Sequence, residues 1–191
     1  FNQDISYWNV GNVVYMRYMF SGARYFNQDL SKWKVDQVTD MQWTFYAAGV
    51  FNGDLSKWYP YSSTSMATMF RQATTFNGDL SKWNVGRVTT MRDMFMLAKS
   101  FNQDLSRWDV AHADCMNWMF FQAHVFNQDL SKWNVGKVTN MGNMFADARS
   151  FNHDISKWDV RKVTNMEGMF FQAAVFNQDL SRWNVGRVTT M

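Results

Sequence analysis

The chain has 191 residues, a formal net charge of +3 and a hydrophobic fraction of 47%, so it is too apolar for a disordered segment and long enough for one domain. Its single cysteine, Cys115, excludes a framework of intrachain disulfides. It has no apolar run long enough for a transmembrane helix, and its slight basicity is weak evidence for nucleic-acid binding.

The block Phe-Asn-x-Asp-(Leu/Ile)-Ser-x-Trp returns every 25 residues, and its first residues are Phe1, Phe26, Phe51, Phe76, Phe101, Phe126, Phe151 and Phe176. A fixed period of this length predicts a solenoid in which each unit contacts its neighbours. We number positions within a unit from this Phe. Residues 1–191 then form a single array of seven full units and a partial eighth, and we expect it to belong to a longer array. Function is expected in columns of repeated residues or in units that depart from the pattern.

The first predicted element is a short parallel strand near positions 5–10. Leu80, Trp83 and Val85 have the apolar-x-x-apolar-x-apolar spacing that is typical of leucine-rich repeats. The invariant Asn at position 2 and Asp at position 4 precede it, and we expect their side chains to form structural ladders stacked from unit to unit. Representative ladder residues are Asn27, Asp29, Asn77, Asp79, Asn127 and Asp129. The alternative is a column of Asp that binds Ca²⁺, but the Gly-rich Asp motifs of such solenoids are missing, so no metal site is predicted.

The second predicted element is a short helix over positions 15–24. Met91, Met94, Phe95 and Ala98 recur at helical spacing, and Thr89 occupies the place of an N-cap. One strand and one helix per unit predict an α/β, leucine-rich-repeat-like solenoid. Because strands pack more closely than helices, its strand side is predicted to be concave.

The tryptophan column at position 8 and the methionine columns at positions 16 and 19 are predicted to form the core. Both fall at apolar phases of the repeat, and Met is an adaptable filler of cores. The alternative for the tryptophans is sugar stacking at an exposed surface.

The run from Phe126 to Ser150, FNQDLSKWNVGKVTNMGNMFADARS, resembles the surface-protein repeat of mycoplasmas and lactic-acid bacteria, a family related to the BspA-like leucine-rich repeats. The resemblance covers the whole chain. It implies a right-handed solenoid on an extracellular or cell-surface protein that acts in adhesion or other interactions, with no catalytic residues. Two units depart from the pattern, at Pro60 and at 111–115, and either departure is drift or a functional bend.

A basic column at position 7 is the first candidate site. It contains Lys32, Lys57, Lys82, Arg107, Lys132, Lys157 and Arg182, which the predicted strand would place on the concave face. This column is either a solvated face that discourages edge pairing or a groove for an acidic glycan. Nucleic acid is not predicted as a partner, because the column lacks exposed aromatic platforms.

An aromatic stripe on the predicted convex helical face is the second candidate site. Its members are Tyr18, Trp43, Tyr46, Trp118, Phe121 and Phe171. Exposed aromatic residues of this kind mark contact with another surface, although partial burial between adjacent helices is the alternative.

The sequence gives little support for an enzyme or a cofactor. The nearest approach to a catalytic group is His112, Asp114 and Cys115, which could suggest a Cys/His nucleophile pair, but no orienting partner is recognisable. The leading interpretation is a non-enzymatic extracellular or cell-surface protein that contacts proteins or acidic glycans. The alternative is a structural protomer of a filament or sheath. Phe1 and Met191 fall at core positions, so we expect both ends to be covered by further units or by self-association.

Overall fold

The computed structural model describes residues 1–191 and contains neither an α-helix nor a β-strand. Each 25-residue unit forms one coil of a stack. The only ladder pairing is a series of isolated parallel bridges at position 15, from Tyr15↔Asp40 to Asn165↔Thr190. The predicted α/β solenoid is therefore wrong: there is no strand near positions 5–10 and no helix over positions 15–24. Without them, the predicted concave sheet and convex helical face do not exist either.

The coil is a succession of β-turns, and most of them begin and end on buried apolar residues. In the fourth unit the backbone N–H donates to the C=O three residues earlier in the pairs Trp83–Leu80, Val88–Val85, Met94–Met91 and Ala98–Phe95, and all eight side chains are buried. An apolar spacing of i, i+3 is shared by a helix face and by the two ends of a β-turn. The pattern that predicted a helix therefore belongs to consecutive turns.

Positive φ angles at positions 18 and 22 explain why no helix forms. Asp93 (φ 57°) and Leu97 (φ 62°) are the third residues of the turns 91–94 and 95–98, and a type II turn requires φ > 0 there. A residue with positive φ does not continue a right-handed helix. The same two positions have positive φ in every full unit.

Between positions 16 and 22, every second backbone N–H donates to a backbone C=O of the next coil. Asp93 donates to the C=O of Asn117 at 3.1 Å, and Leu97 donates to that of Phe121 at 2.7 Å. In a helix these groups would bond within the segment. The region predicted as helix is therefore where the coils are joined through their backbones.

Side chains join the coils elsewhere. The Nε1–H of Trp83 donates to the C=O of Leu55 at 3.0 Å. The Oδ1 of Asn77 accepts the N–H of Asn102 at 2.9 Å, so the Asn column runs from unit to unit. The hydroxyl of Thr89 donates to the C=O of Thr64 at 3.2 Å, so this Thr is not an N-cap.

The core is a stack of aromatic columns. Phe76 and Phe101 lie with ring centroids 6.0 Å apart and nearly parallel planes, and Trp133 and Trp158 repeat this arrangement at 6.4 Å. Every tryptophan of the column from Trp33 to Trp158 is at most 3% exposed. The prediction that the tryptophans form core is confirmed for these units, and they offer no face for sugar stacking.

Both departures from the pattern keep the local turn. Ser63 donates to the C=O of Pro60 at 3.1 Å, and Ala113 donates to that of Val110 at 2.9 Å. The amides of Val35, Val85 and other residues at position 10 donate no backbone hydrogen bond, so proline removes nothing there. The turn over positions 10–13 therefore survives both departures.

Candidate interaction surface

Short acidic and amide side chains cap the turns within each coil. The Oδ1 of Asp104 accepts the N–H of Ser106 at 2.8 Å, and the Oδ1 of Asn134 accepts that of Gly136 at 3.2 Å. A side chain of this length reaches the amide two residues on, which Glu does not do as well. The Asp column at position 4 is therefore made of local caps, and the expectation that its carboxylates stack between units is wrong.

These caps favour the ionised carboxylate. Hydrogen bonds from Ser106 lower the pKa of Asp104, and hydrogen bonds from Ser131 lower the pKa of Asp129. Where Arg161 forms two 2.8 Å bonds to the carboxylate of Asp159, the pKa of Asp159 falls to about 2. No group of three or more His, Cys, Asp or Glu side chains is arranged to hold a metal ion.

The structure places the basic column of position 7 on the exposed surface. All seven side chains from Lys32 to Arg182 are exposed, and none forms an ion pair within 4 Å. The carboxylate of Asp29 lies close enough to Lys32 and Lys57 for both to help lower its pKa, after the larger effect of its hydrogen bonds. The Asp caps therefore partly offset the positive charge of this column.

A second surface is formed by the middle residues of the turns over positions 16–23. We call it the turn face; it comprises positions 17, 18, 21 and 22 of each unit. Backbone contacts around these positions repeat from unit to unit, yet their side chains differ: position 18 is Tyr18, Trp43, Thr68, Asp93, Trp118, Asn143 and Gly168. The turn face thus combines a constant backbone with changing side chains.

The predicted aromatic stripe lies on the turn face and forms packed clusters. Tyr18 stacks on Trp43 with centroids 5.7 Å apart, and Trp43 meets Tyr46 edge to face at 5.1 Å. Tyr18 is 52% exposed and Phe171 is 61% exposed, whereas Trp43, Tyr46, Trp118 and Phe121 are half-buried. The structure therefore brings Tyr18, Trp43 and Tyr46 together and leaves Phe171 apart.

A shallow pocket of about 260 Å³ opens on the turn face between the third, fourth and fifth units. It is lined by Arg71, Arg92, Asp93, Met96, Asn117 and Trp118. Asp93 is buried at 5% exposure, and its Oδ2 lies 3.6 Å from an Arg71 nitrogen and 3.4 Å from the Arg92 Nε. Burial raises the pKa of Asp93 in spite of the two guanidinium groups.

The His112, Asp114 and Cys115 group does not form a nucleophile pair. No hydrogen bond joins His112 to Cys115, whose Sγ contacts the Oδ1 of Asn117 at 2.9 Å. Burial raises the pKa of the Cys115 thiol, whereas an activated cysteine has a lowered one. The other histidines are separate: His124 contacts Asp147 at 3.3 Å, and His153 contacts the C=O of Asn127 at 3.0 Å.

Comparison with known proteins finds one family. The model of the family described as "Mycoplasma protein of unknown function, DUF285" matches residues 1–66, 61–153 and 107–191, which together span the chain. The chain belongs to this family. The match supports the mycoplasma part of the resemblance and carries no specific link to BspA. No curated protein and no solved structure matches the chain.

The structure has no helix of the length and apolar character that crossing a bilayer requires. The repeat pattern did not predict that one pocket is lined by Arg71, Arg92, Asp93, Met96 and Asn117. One feature of the sequence could have indicated the pocket. Asp93 is the only charged residue at position 18, and Arg71 is the only charged residue at position 21.

Proposed function

We propose that this protein is a non-enzymatic repeat protein of the cell surface or extracellular space, and that it acts by contacting proteins or glycans. The observation that supports this most is the turn face, where a constant backbone presents side chains that change from coil to coil. Stacking the coils does not require aromatic groups at these positions, because other units stack with Thr68, Asp93 or Gly168 there. Aromatic and Arg side chains on a rigid surface are typical of the residues that dominate binding energy.

We also propose that the protein is related to BspA-like leucine-rich repeats, because the expectation of adhesion comes from that relation. Extracellular exposure is tested by protease treatment of intact cells that produce the protein. Rapid cleavage of the protein, together with survival of a cytoplasmic marker, supports this location. Cleavage only after lysis contradicts it.

The turn face and the basic column predict different binding behaviour. We expect labelled protein to bind an array of glycans and immobilised extracellular proteins through the turn face. Trp43→Gln should then reduce retention, whereas Lys82→Gln should not. If the basic column is the site, replacing Lys82, Arg107 and Lys132 together by Gln should abolish retention on heparin at fixed ionic strength. Two results together would contradict the turn face as the contact surface. They are loss of heparin retention in the triple variant and unchanged array binding in Trp43→Gln.

The alternative is a structural protomer of a filament or sheath. The specific support is that similar contacts recur at all seven bridged junctions between coils, so the same register suits stacking between molecules. Electron microscopy of the purified protein distinguishes the two functions. Ordered fibres favour the protomer, and dispersed particles that bind the array favour the contact protein.

A further inference from the structure

The pocket between the third and fifth units has a fixed charged floor. Asp93 lies in a turn at φ 57°, and its buried carboxylate holds Arg71 and Arg92 within 3.6 Å of one oxygen atom. Arg71 is held from its other side by Tyr46, with the guanidinium carbon 5.9 Å from the ring centroid. The Arg71 guanidinium is therefore positioned from two sides before any ligand arrives, which lowers the entropic cost of binding.

The floor of the pocket carries a net positive charge. Two guanidinium groups share one carboxylate, which leaves an excess of one positive charge even when Asp93 is ionised. The side chains of Arg71 and Arg92 are 29% and 53% exposed, so N–H donors other than the buried Nε of Arg71 remain accessible to an incoming group. Guanidinium groups bind carboxylates in a two-pronged geometry that a lysine does not offer. The excess charge and the donor geometry both favour a carboxylate as ligand.

The wall of the pocket is flat and apolar. The indole of Trp118 is held edge to face against Phe121, with ring centroids 4.8 Å apart, and Met96 adds a polarizable surface beside it. The Oδ1 of Asn117 contacts Cys115, while its amide NH₂ makes no hydrogen bond and can donate to a ligand. A ligand with a flat C–H face, a hydroxyl group and a carboxylate matches all three parts of this site.

We propose that the pocket binds a carboxylate-bearing sugar residue of a glycan. The sugar places its C–H face on Trp118, its carboxylate on Arg92 and Arg71, and a hydroxyl on the amide of Asn117. A neutral sugar stacks equally well but leaves the excess charge unpaired. This inference rests on the proposed function and names one ligand class for the turn face.

The test is isothermal titration with three soluble probes: a sialylated trisaccharide, a glucuronate-containing disaccharide and neutral lactose. We expect at least one acidic sugar to bind and lactose to bind at least about tenfold more weakly, since a charged hydrogen bond contributes about 1.5–3 kcal/mol. Comparison of the two acidic probes shows whether the pocket prefers the carboxylate of a sialic acid or that of a uronic acid.

Matched variants assign the binding to the pocket. Arg92→Gln should weaken it about tenfold, and Trp118→Asn should weaken it similarly. Asn tolerates the positive φ of this position and occurs there naturally at Asn143 (φ 55°). Lys82→Gln removes the same charge from the basic column and should leave the affinity unchanged. A single cooperative unfolding transition in urea shows that each variant folds.

Several outcomes overturn the inference. They are absence of binding by both acidic sugars at about 1 mM, equal binding of lactose, or an equal loss of affinity in Lys82→Gln. Binding of an acidic peptide such as hexaglutamate with the same loss in Arg92→Gln would assign the pocket to a protein ligand instead. If these tests fail but Trp43→Gln reduces retention on the array as expected, the proposed function stands and only the acidic-sugar site is lost.

Discussion

Replacing Trp83 tests whether the tryptophan column joins the coils. The side chain is 3% exposed, its Nε1–H donates to the C=O of Leu55 at 3.0 Å, and its ring stacks on Trp58 at 6.1 Å. Trp83→Ala should lower the free energy of unfolding by about 3–5 kcal/mol, the usual cost of truncating a buried Trp. Trp83→Phe keeps an aromatic ring but leaves the Leu55 carbonyl unpaired, so we expect a loss of about 1–3 kcal/mol.

Equilibrium unfolding in urea, followed by fluorescence of the remaining tryptophans, measures both effects. The slope of the transition should stay constant if only stability changes. The matched control is Trp8→Phe, because Trp8 is 47% exposed and its ring N–H donates no hydrogen bond; its expected effect is below about 0.5 kcal/mol. A loss in Trp83→Phe no larger than that in Trp8→Phe would refute the role assigned to the indole hydrogen bond.

Three further predictions concern the coil backbone. Asn77→Ala removes the 2.9 Å acceptor of the Asn102 amide and should cost about 1 kcal/mol in urea unfolding; an effect as small as that of the exposed control Lys82→Gln would contradict the Asn ladder. Thr68 is buried with φ 64°, a backbone conformation that glycine adopts without strain, so Thr68→Gly should raise the free energy of unfolding by about 1 kcal/mol; a decrease would show that the lost side-chain packing outweighs strain. Folding lowers the pKa of Asp104 and Asp129 below the ordinary 3.8. The two carboxylates therefore stabilise the folded state above pH 3.8, and this contribution is lost as the pH falls through their lowered pKa values. Replacing both by Asn, which keeps an oxygen acceptor, should flatten this acid loss, and an unchanged pH profile would exclude these caps as its cause.

The candidate surface was only partly predictable from the sequence. Trp43, Tyr46, Trp118 and Phe121 stand out because they are aromatic at positions outside the apolar core pattern. This predicts a surface position whatever the secondary structure, and the structure leaves all four half-buried. The pocket beside them could not be predicted, because it depends on which residues of adjacent coils lie side by side. Position 21 of one unit, at Arg71, lies next to position 18 of the following unit, at Asp93, and this adjacency follows from the coil geometry rather than from spacing along the chain.

The repeat, the stacking of like residues and the buried columns follow from the amino-acid sequence alone, because the burial of Phe, Trp and Met follows from their apolar character in any regular stack. It did not determine the backbone path, because an i, i+3 spacing of apolar residues suits a helix and a chain of β-turns equally. Contacts between stacked coils select the chain of turns. Non-glycine residues such as Trp43 and Leu97 give no local signal for the positive φ they adopt. They adopt it because the amide of Leu97 then bonds to Phe121 of the next coil, a partner that exists only once the coils have stacked.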